Sequence, residues 1–600
     1  MKQSLITFLV LLVFLCERGN AQCLMNKVSL NERIAESTVI AESRIISKKS
    51  VWDNQHRSIY TLNEVEIYKI FKGKIRQERI TIVTEGGIVD GESETVTPSV
   101  QFKVDDIGIL LLKQCRKEKE LSNVIQGETV FEVVASSQGF LLYDFAMNSA
   151  TDVFSRYTNI SESLYSTIQA LTGNSIQEIK PFSFGGNNKE KNGQLNAGVE
   201  IKSFSPKSIS AGTKSVLTIR GTGFGSMSNR NIFLTDGDSP ERGLIAPVPL
   251  EYLSWNDTEI RIYVPSRCGT GKVYLYEKQN DIWTPIATSK DTLLVRFARS
   301  NDSYSTRNPV NLVNSNRDGG YTWQMSKSFA ENTAARQSLE LVFDKWRCVS
   351  DVNWKLGQLT DVNTSVRDSL NVIHFAPASE FSSGTLGICT SRTLLCGSTT
   401  AYVSEADLKF NNTVSWNFSS EKCPPTLHDF QSVALHELGH ALQLDHVVDT
   451  NEVMHYAIGK GTMRRFPTTN SIEGVKFVLQ QSSLSQQCGP SNMLAAAPQV
   501  NCQLLITTDV DQSQEIMQDY AYPMPFGESC TIQFNVEKAA MVKLEIYDAL
   551  GRKIMQPLES FHNSGNYTTL VSFQGYSKGV YFYRLQIGNR IVSKSIIRGL

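Results

Sequence analysis

The chain has 600 residues, 41% of them hydrophobic and 20% charged, with a formal net charge of -1. That length exceeds one hydrophobic core and implies about three to five domains. The composition excludes a largely disordered chain, and the balanced charge gives no footing for nucleic acid or an anionic surface as the main partner.

Residues 1–21 read as a cleaved secretory signal: a basic Met1-Lys2 start, an apolar run from Leu5 to Cys16, and small residues around Gly19-Asn20-Ala21. The apolar run is too short for a membrane span, and no later stretch is long and apolar enough to be one. A lipoprotein reading through Cys23 lacks the usual lipidation box before the cysteine. Of 11 cysteines, Cys16 falls in the leader and ten remain. An even count in an exported chain favours disulfides. Cys389 with Cys396 and Cys488 with Cys502 are close enough in sequence to close small loops. There is no CxxC pair, which argues against a cysteine zinc site.

Residues 22–185 alternate apolar and polar positions, as in Tyr60 to Ile67 and Arg79 to Val83, with a buried-strand run at Gly108 to Leu112. They are expected to form a small β-barrel or sandwich without a catalytic constellation. A polar, glycine-rich linker follows at 185–193. Residues 199–297 are again all-β, with Val216 to Gly225, Trp255 to Ile260 and Val264-Pro265-Ser266 in order. That order resembles the immunoglobulin-like IPT/TIG family, which implies a sandwich used as a spacer or binding module. Pro265-Ser266-Arg267-Cys268-Gly269 also looks like the cysteine switch of matrix metalloproteinase propeptides; the competing reading is an ordinary strand and turn with Cys268 paired elsewhere.

Residues 300–482 carry the chemistry. Thr333 is an N-cap candidate before the helical spacing of Leu339, Val342, Phe343 and Trp346. Leu370 to Phe375, Thr400 to Val403 and Ala406 to Phe410 read as strands. Thr426 and Asp429 can cap the next helix, which runs into His436-Glu437-Leu438-Gly439-His440. Two histidines four apart share one helix face and can chelate one ion; His446 lies six residues further on, so the chain must turn to bring it back. Met454 and Tyr456 follow.

This set resembles the metzincin zinc peptidases, closest to the matrixin-like branch, whose pattern is HExxHxxGxxH followed by a methionine turn. The resemblance implies an α/β catalytic domain flanked by all-β domains. It also implies Zn2+ held by His436, His440 and His446, with Glu437 as general base on the zinc-bound water and Met454 as a packing floor. Tyr456 would either assist the metal or oxyanion, or simply pack. A second zinc or structural Ca2+ accompanies that branch, without ligands assignable here. Gln443 stands where the family has glycine, so the turn must adopt a left-handed conformation at about 1 kcal/mol or differ. His374, His428 and His455 are expected in ordinary roles: core or edge packing, a solvated first helical turn, and a side chain facing away.

Residues 483–517 read as a linker. Residues 518–600 are β-rich, and Tyr522 to Phe526, Ile546-Tyr547-Asp548, Gly551-Arg552 and Gly579 to Leu585 resemble the sorting domain of the Bacteroidetes type IX secretion system, with Met524 in place of its usual asparagine. This implies outer-membrane secretion machinery as a partner and a secreted or surface-attached protein. The expected function is a secreted zinc endopeptidase acting on extracellular proteins. The alternatives are an inactive peptidase-like adhesion or binding protein, and a zinc enzyme acting on a non-peptide bond.

Overall fold

The computed structural model describes residues 24–182, 198–494 and 520–599, apart from short breaks within them, together with Cys502. The leader, the 185–193 linker, Cys23, Cys488 and most of 483–517 lie outside the described residues. The chain divides into two compact units, Met1–Val500 and Asn501–Leu600. Among the described residues no helix is long and apolar enough to cross a membrane.

In the first unit, β-branched alternating sequence builds a sheet that closes on itself. Val39–Trp52 pairs with Ile59–Lys72 on one side and with Ile107–Gln114 on the other; Arg79–Glu85 and Val130–Val133 complete the ring. Its interior is filled by Ile45, Val65, Ile67, Ile82, Leu110 and Leu112. Closure removes two sheet edges that would otherwise expose unpaired backbone groups.

The next two four-stranded sheets comprise Glu200–Ser205, Val216–Thr222, Tyr252–Trp255 and Glu259–Tyr263 in one, and Arg230–Asp236, Leu244–Ile245, Cys268–Gln279 and Ile282–Thr288 in the other. Their inward residues, among them Ile219, Ile262, Leu234 and Leu275, share one core. Cys268 is buried inside that core and is not disulfide-bonded, so neither the metal-capping role nor a disulfide holds for it in this structure.

The sheet that positions the histidines runs Trp354–Leu356, Tyr321–Met325, Asn371–Ala376, Thr400–Asn411, Gly387–Cys396. The first four are parallel and Gly387–Cys396 is antiparallel. Gly387–Cys396 does not end this sheet. Glu92–Thr97, from the N-terminal region, pairs with it antiparallel from Cys389 opposite Thr97 to Leu394 opposite Glu92. Helix Thr333–Ser350 is capped by Asn332, one residue before the sequence candidate Thr333. It packs Leu339, Val342, Phe343 and Trp346 into the core.

Cys348, Cys396 and Cys502 are disulfide-bonded, whereas Cys389 is a buried free thiol. The expected Cys389–Cys396 loop is therefore corrected: both residues lie on one extended strand, which holds them apart along its length.

The second unit has a three-stranded and a four-stranded sheet, whose shared core includes Phe534, Leu544, Tyr583 and Leu585.

Candidate metal centre

Helix Phe430–Ala441 is buried at every position. Asp429 caps it, accepting from the Ser432 backbone N–H at 3.0 Å, and is itself bound by Arg465 at 2.6 Å. Trp346 donates its indole N–H to the Leu435 carbonyl at 2.9 Å, tying the two helices together. His428 is not in a solvated first turn. It sits on the short strand His428–Asp429, is buried, and its Nε2 lies 2.9 Å from Asn26 Nδ2.

His436 and His440 meet one turn apart, and Gln443 turns the chain back in the left-handed region at φ 64°. Its carbonyl accepts from the Ser300 N–H at 2.9 Å, and Leu444–Asp445 then pairs with Arg299 and Ala298. This brings His446 to the other two. The three Nε2 atoms are separated by 2.9, 3.1 and 3.3 Å.

Each Nδ1 has its own acceptor: the Val453 carbonyl for His436 at 2.7 Å, the Leu444 carbonyl for His440 at 2.9 Å, and Asp238 Oδ1 for His446 at 2.9 Å. Those acceptors place the imidazole protons on Nδ1 and leave three bare Nε2 lone pairs converging. Three such lone pairs repel unless a cation lies between them. Tetrahedral zinc at about 2.0–2.1 Å from each nitrogen requires N···N spacings near 3.3 Å, close to those present. Burial, and then the neighbouring imidazoles, lower His436 well below its ordinary pKa and His440 to about 3, so both are neutral ligands rather than cations.

Glu437 is also buried, and its Oε2 has no hydrogen-bond partner. Burial raises its carboxyl well above the ordinary range, opposed by the Cys389 backbone N–H. An orphaned buried carboxylate oxygen beside three converging imidazoles fits a site that holds a cation and a polar ligand. Beneath the helix, Met454 occupies the space against Gly439.

Tyr456 is buried, stacks on His455 with centroids 4.5 Å apart, and stands edge-on to His446 at 6.5 Å. His455 is a packed, buried ring that is not among the residues lining the cavity or converging on the metal position. His374 is buried on its strand, with Nε2 2.9 Å from Ser365 Oγ.

The site opens into a cavity of about 430 Å³ lined by His436, Glu437, His440, His446 and Tyr456, and also by Glu94, Val96, Asp238 and Arg267 from the two preceding β regions. Sequence reading missed these last residues. Thr235-Asp236-Gly237-Asp238 looks like an ordinary acidic turn, and nothing in it signals a partner 208 positions away. Among the described residues, the other grouping suited to a metal is Asp238, Asp445 and His446, which shares His446 with the first. It gives no separate site for the second zinc or Ca2+.

Comparison with known proteins agrees with two parts of the chain. Residues 316–477 match the family model for Matrixin, and residues 520–598 match that for a secretion system C-terminal sorting domain. No curated protein matches. Among solved structures, a protein named as a phosphatase of Bacteroides thetaiotaomicron VPI-5482 is 18% identical over 20% of this chain and 22% of its own, with a TM-score of 0.13. A tetra-tandem repeat from the extending region of a large adhesion protein is 6% identical over 90% of this chain and 94% of its own, with a TM-score of 0.12. The chain thus spans under a quarter of the first of these, and neither likeness carries an argument about fold or function. What the comparisons support is a matrixin-type metallopeptidase domain over 316–477, followed by a sorting domain that marks the chain for secretion.

Proposed function

We propose that the protein is a secreted zinc endopeptidase, with His436, His440 and His446 as the metal ligands and Glu437 as general base. The observation that carries this reading is the convergence of three Nε2 lone pairs, each with its Nδ1 already engaged, beside the unpartnered Glu437 Oε2. Zinc, when bound, would supply Lewis-acid polarisation of a carbonyl and an acidified water.

Glu437 has the rest of the proton work. Its free oxygen takes the proton of the attacking water and returns it to the leaving amine. The Cys389 N–H holds the carboxylate in place during both transfers. Burial keeps bulk water from competing for the proton. Tyr456, on the cavity wall, is positioned to help with the developing oxyanion, and its stacking on His455 fixes the ring direction. The match to a sorting domain supports an activity exercised outside the cell, and extracellular protein is the substrate class proposed with it.

The test is cleavage of a denatured protein substrate by the purified secreted protein, with and without a zinc chelator, beside Glu437→Gln. The expected result is chelator-reversible cleavage that falls about 10²- to 10⁴-fold in Glu437→Gln while zinc stays bound. Cleavage surviving in Glu437→Gln would overturn the mechanism. A zinc-loaded protein that binds denatured substrate without cutting it, even when the Glu92–Thr97 pairing is opened by Thr95→Pro, would favour the adhesion reading.

A further inference from the structure

We propose that Asp238, carried by the two packed sheets of residues 200–288, is a positioning residue for the third metal ligand, and that the metal centre is incomplete without that sandwich. His436 and His440 orient their rings on carbonyls of their own segment, Val453 and Leu444. His446 alone uses a carboxylate, and it comes from another part of the chain.

Asp238 is held for this task. Its second oxygen pairs with Arg267 Nε at 2.8 Å, Arg267 Nη2 pairs with Asp236 at 2.6 Å, and the Asp238 N–H donates to Asp236 at 3.0 Å. The two segments are pressed together without slack. A Cβ on Gly237 would lie 2.8 Å from the His446 carbonyl oxygen, and one on Gly269 would lie 2.6 Å from Val448 Cγ2. A carboxylate on the distal imidazole nitrogen fixes the tautomer and strengthens the ligand, and its loss costs about 10- to 100-fold in metal affinity.

This inference rests on the zinc reading, and its test separates the two. Zinc affinity of the full chain is measured by chelator competition, and ligand geometry by the absorption bands of the cobalt-substituted protein. Asp238→Ala is expected to bind zinc about 10-fold or more weakly with altered cobalt bands; Asp238→Asn, which keeps an acceptor, falls between it and the parent. A folded Asp238→Ala with parental affinity and bands overturns the role. If Asp238→Ala does not fold, Asp238→Asn decides by the same bands and affinity. A parent chain that binds no zinc overturns the zinc reading itself, and this proposal with it.

A separate observation carries a second inference: we infer that the N-terminal region holds the cavity closed. Glu92–Thr97 covers six positions of the Gly387–Cys396 strand, the sheet edge beside Glu437 on which an extended peptide could otherwise pair. Glu94 reaches Arg392 at 3.1 Å, where Glu405 and Asp407 also bind. On the other side, Leu24 lies between the two walls of the site. Its N–H donates to the Tyr456 carbonyl at 3.1 Å and its carbonyl accepts from the Leu386 N–H at 2.7 Å. Leu24 and Met25 are buried there. Backbone groups that a substrate strand would use are thus already satisfied by the chain itself.

The inference rests on the peptidase reading. Its test compares turnover of a quenched fluorescent protein substrate by the intact chain and by Leu24→Glu and Thr95→Pro variants. Hydrogen exchange of the Gly387–Cys396 amides reports whether the cover has lifted. A rise of about tenfold or more with faster exchange supports closure. Intact chain as active as the variants overturns closure alone. Lifted cover and bound zinc with no turnover in any form overturns closure together with the peptidase reading.

Discussion

Gly439 and Met454 are locked by size: a Cβ on Gly439 would lie 2.3 Å from Met454 Sδ. The helix that carries two histidines therefore seats on the turn that follows the third, and the absence of a side chain at 439 is what lets it sit so deep. Gly439→Ala is expected to destabilise the protein by about 1–3 kcal/mol, because the thioether or the helix must move. Met454→Leu, nearly equal in volume, is expected to cost under about 1.5 kcal/mol and to keep the metal. Denaturant unfolding and metal content check both.

The left-handed Gln443 gives a second prediction. A non-glycine residue there carries about 1 kcal/mol of strain, and Gln443 recovers part of it through a 3.3 Å bond from its side-chain amide to the His440 carbonyl. Gln443→Gly is expected to change stability by less than about 1 kcal/mol, since relief of strain and loss of that bond oppose each other. Gln443→Val, branched at Cβ, is expected to destabilise and to weaken metal binding by moving His446. Unfolding curves for the two variants check the order.

The Arg392 cluster predicts a pH dependence. Burial, opposed by Arg392, raises Glu94 to about 7 from an ordinary 4.5, and burial raises Glu405 and Asp407 as well. Folded-state values above the unfolded ones mean that the stabilising contribution is full below about pH 4.5 and is lost as pH rises through 7. The pairing of Glu92–Thr97 with Gly387–Cys396 is expected to loosen over that window. Amide exchange in the pair, corrected for intrinsic rates, should speed up, and Glu94→Gln should flatten the trend.

Buried histidines set the opposite, acid-side limit. Burial lowers His374 and His428 to about 4 and His455 to about 3 from an ordinary 6.5. Their depressed values give stability that is present above pH 6.5 and lost as pH falls through 4. Melting temperature is expected to drop steeply over that interval, and less steeply for His374→Gln than for the parent.

The ligand helix was legible because its chemistry is local. His436, Glu437 and His440 sit at helical spacing, Asp429 is a cap, and the cost of Gln443 follows from its position in the motif. The strand patterns of the β regions were legible for the same reason, since alternation is a short-range signal. What escaped was long-range. Asp238 reaches His446 across 208 positions, and Glu94 reaches Arg392 across 298. A carboxylate in a turn or on a strand has no periodicity that names its partner. The Pro265-to-Gly269 stretch drew attention for Cys268, yet its contribution to the site is Arg267, which lies in the turn before the strand that opens at Cys268, while the cysteine enters the core. His428 was misplaced for a related reason: it precedes the cap on a short strand, and its Nε2 meets Asn26, 402 positions away in sequence.

The central claim, that three imidazoles form a zinc site, is tested most directly by the zinc content of the purified full chain and of His440→Ala after exhaustive dialysis. The account predicts one zinc per parent chain and little or none in His440→Ala, whose two remaining imidazoles cannot complete the set. A parent chain without zinc, or a His440→Ala variant that holds it undiminished, would contradict the account.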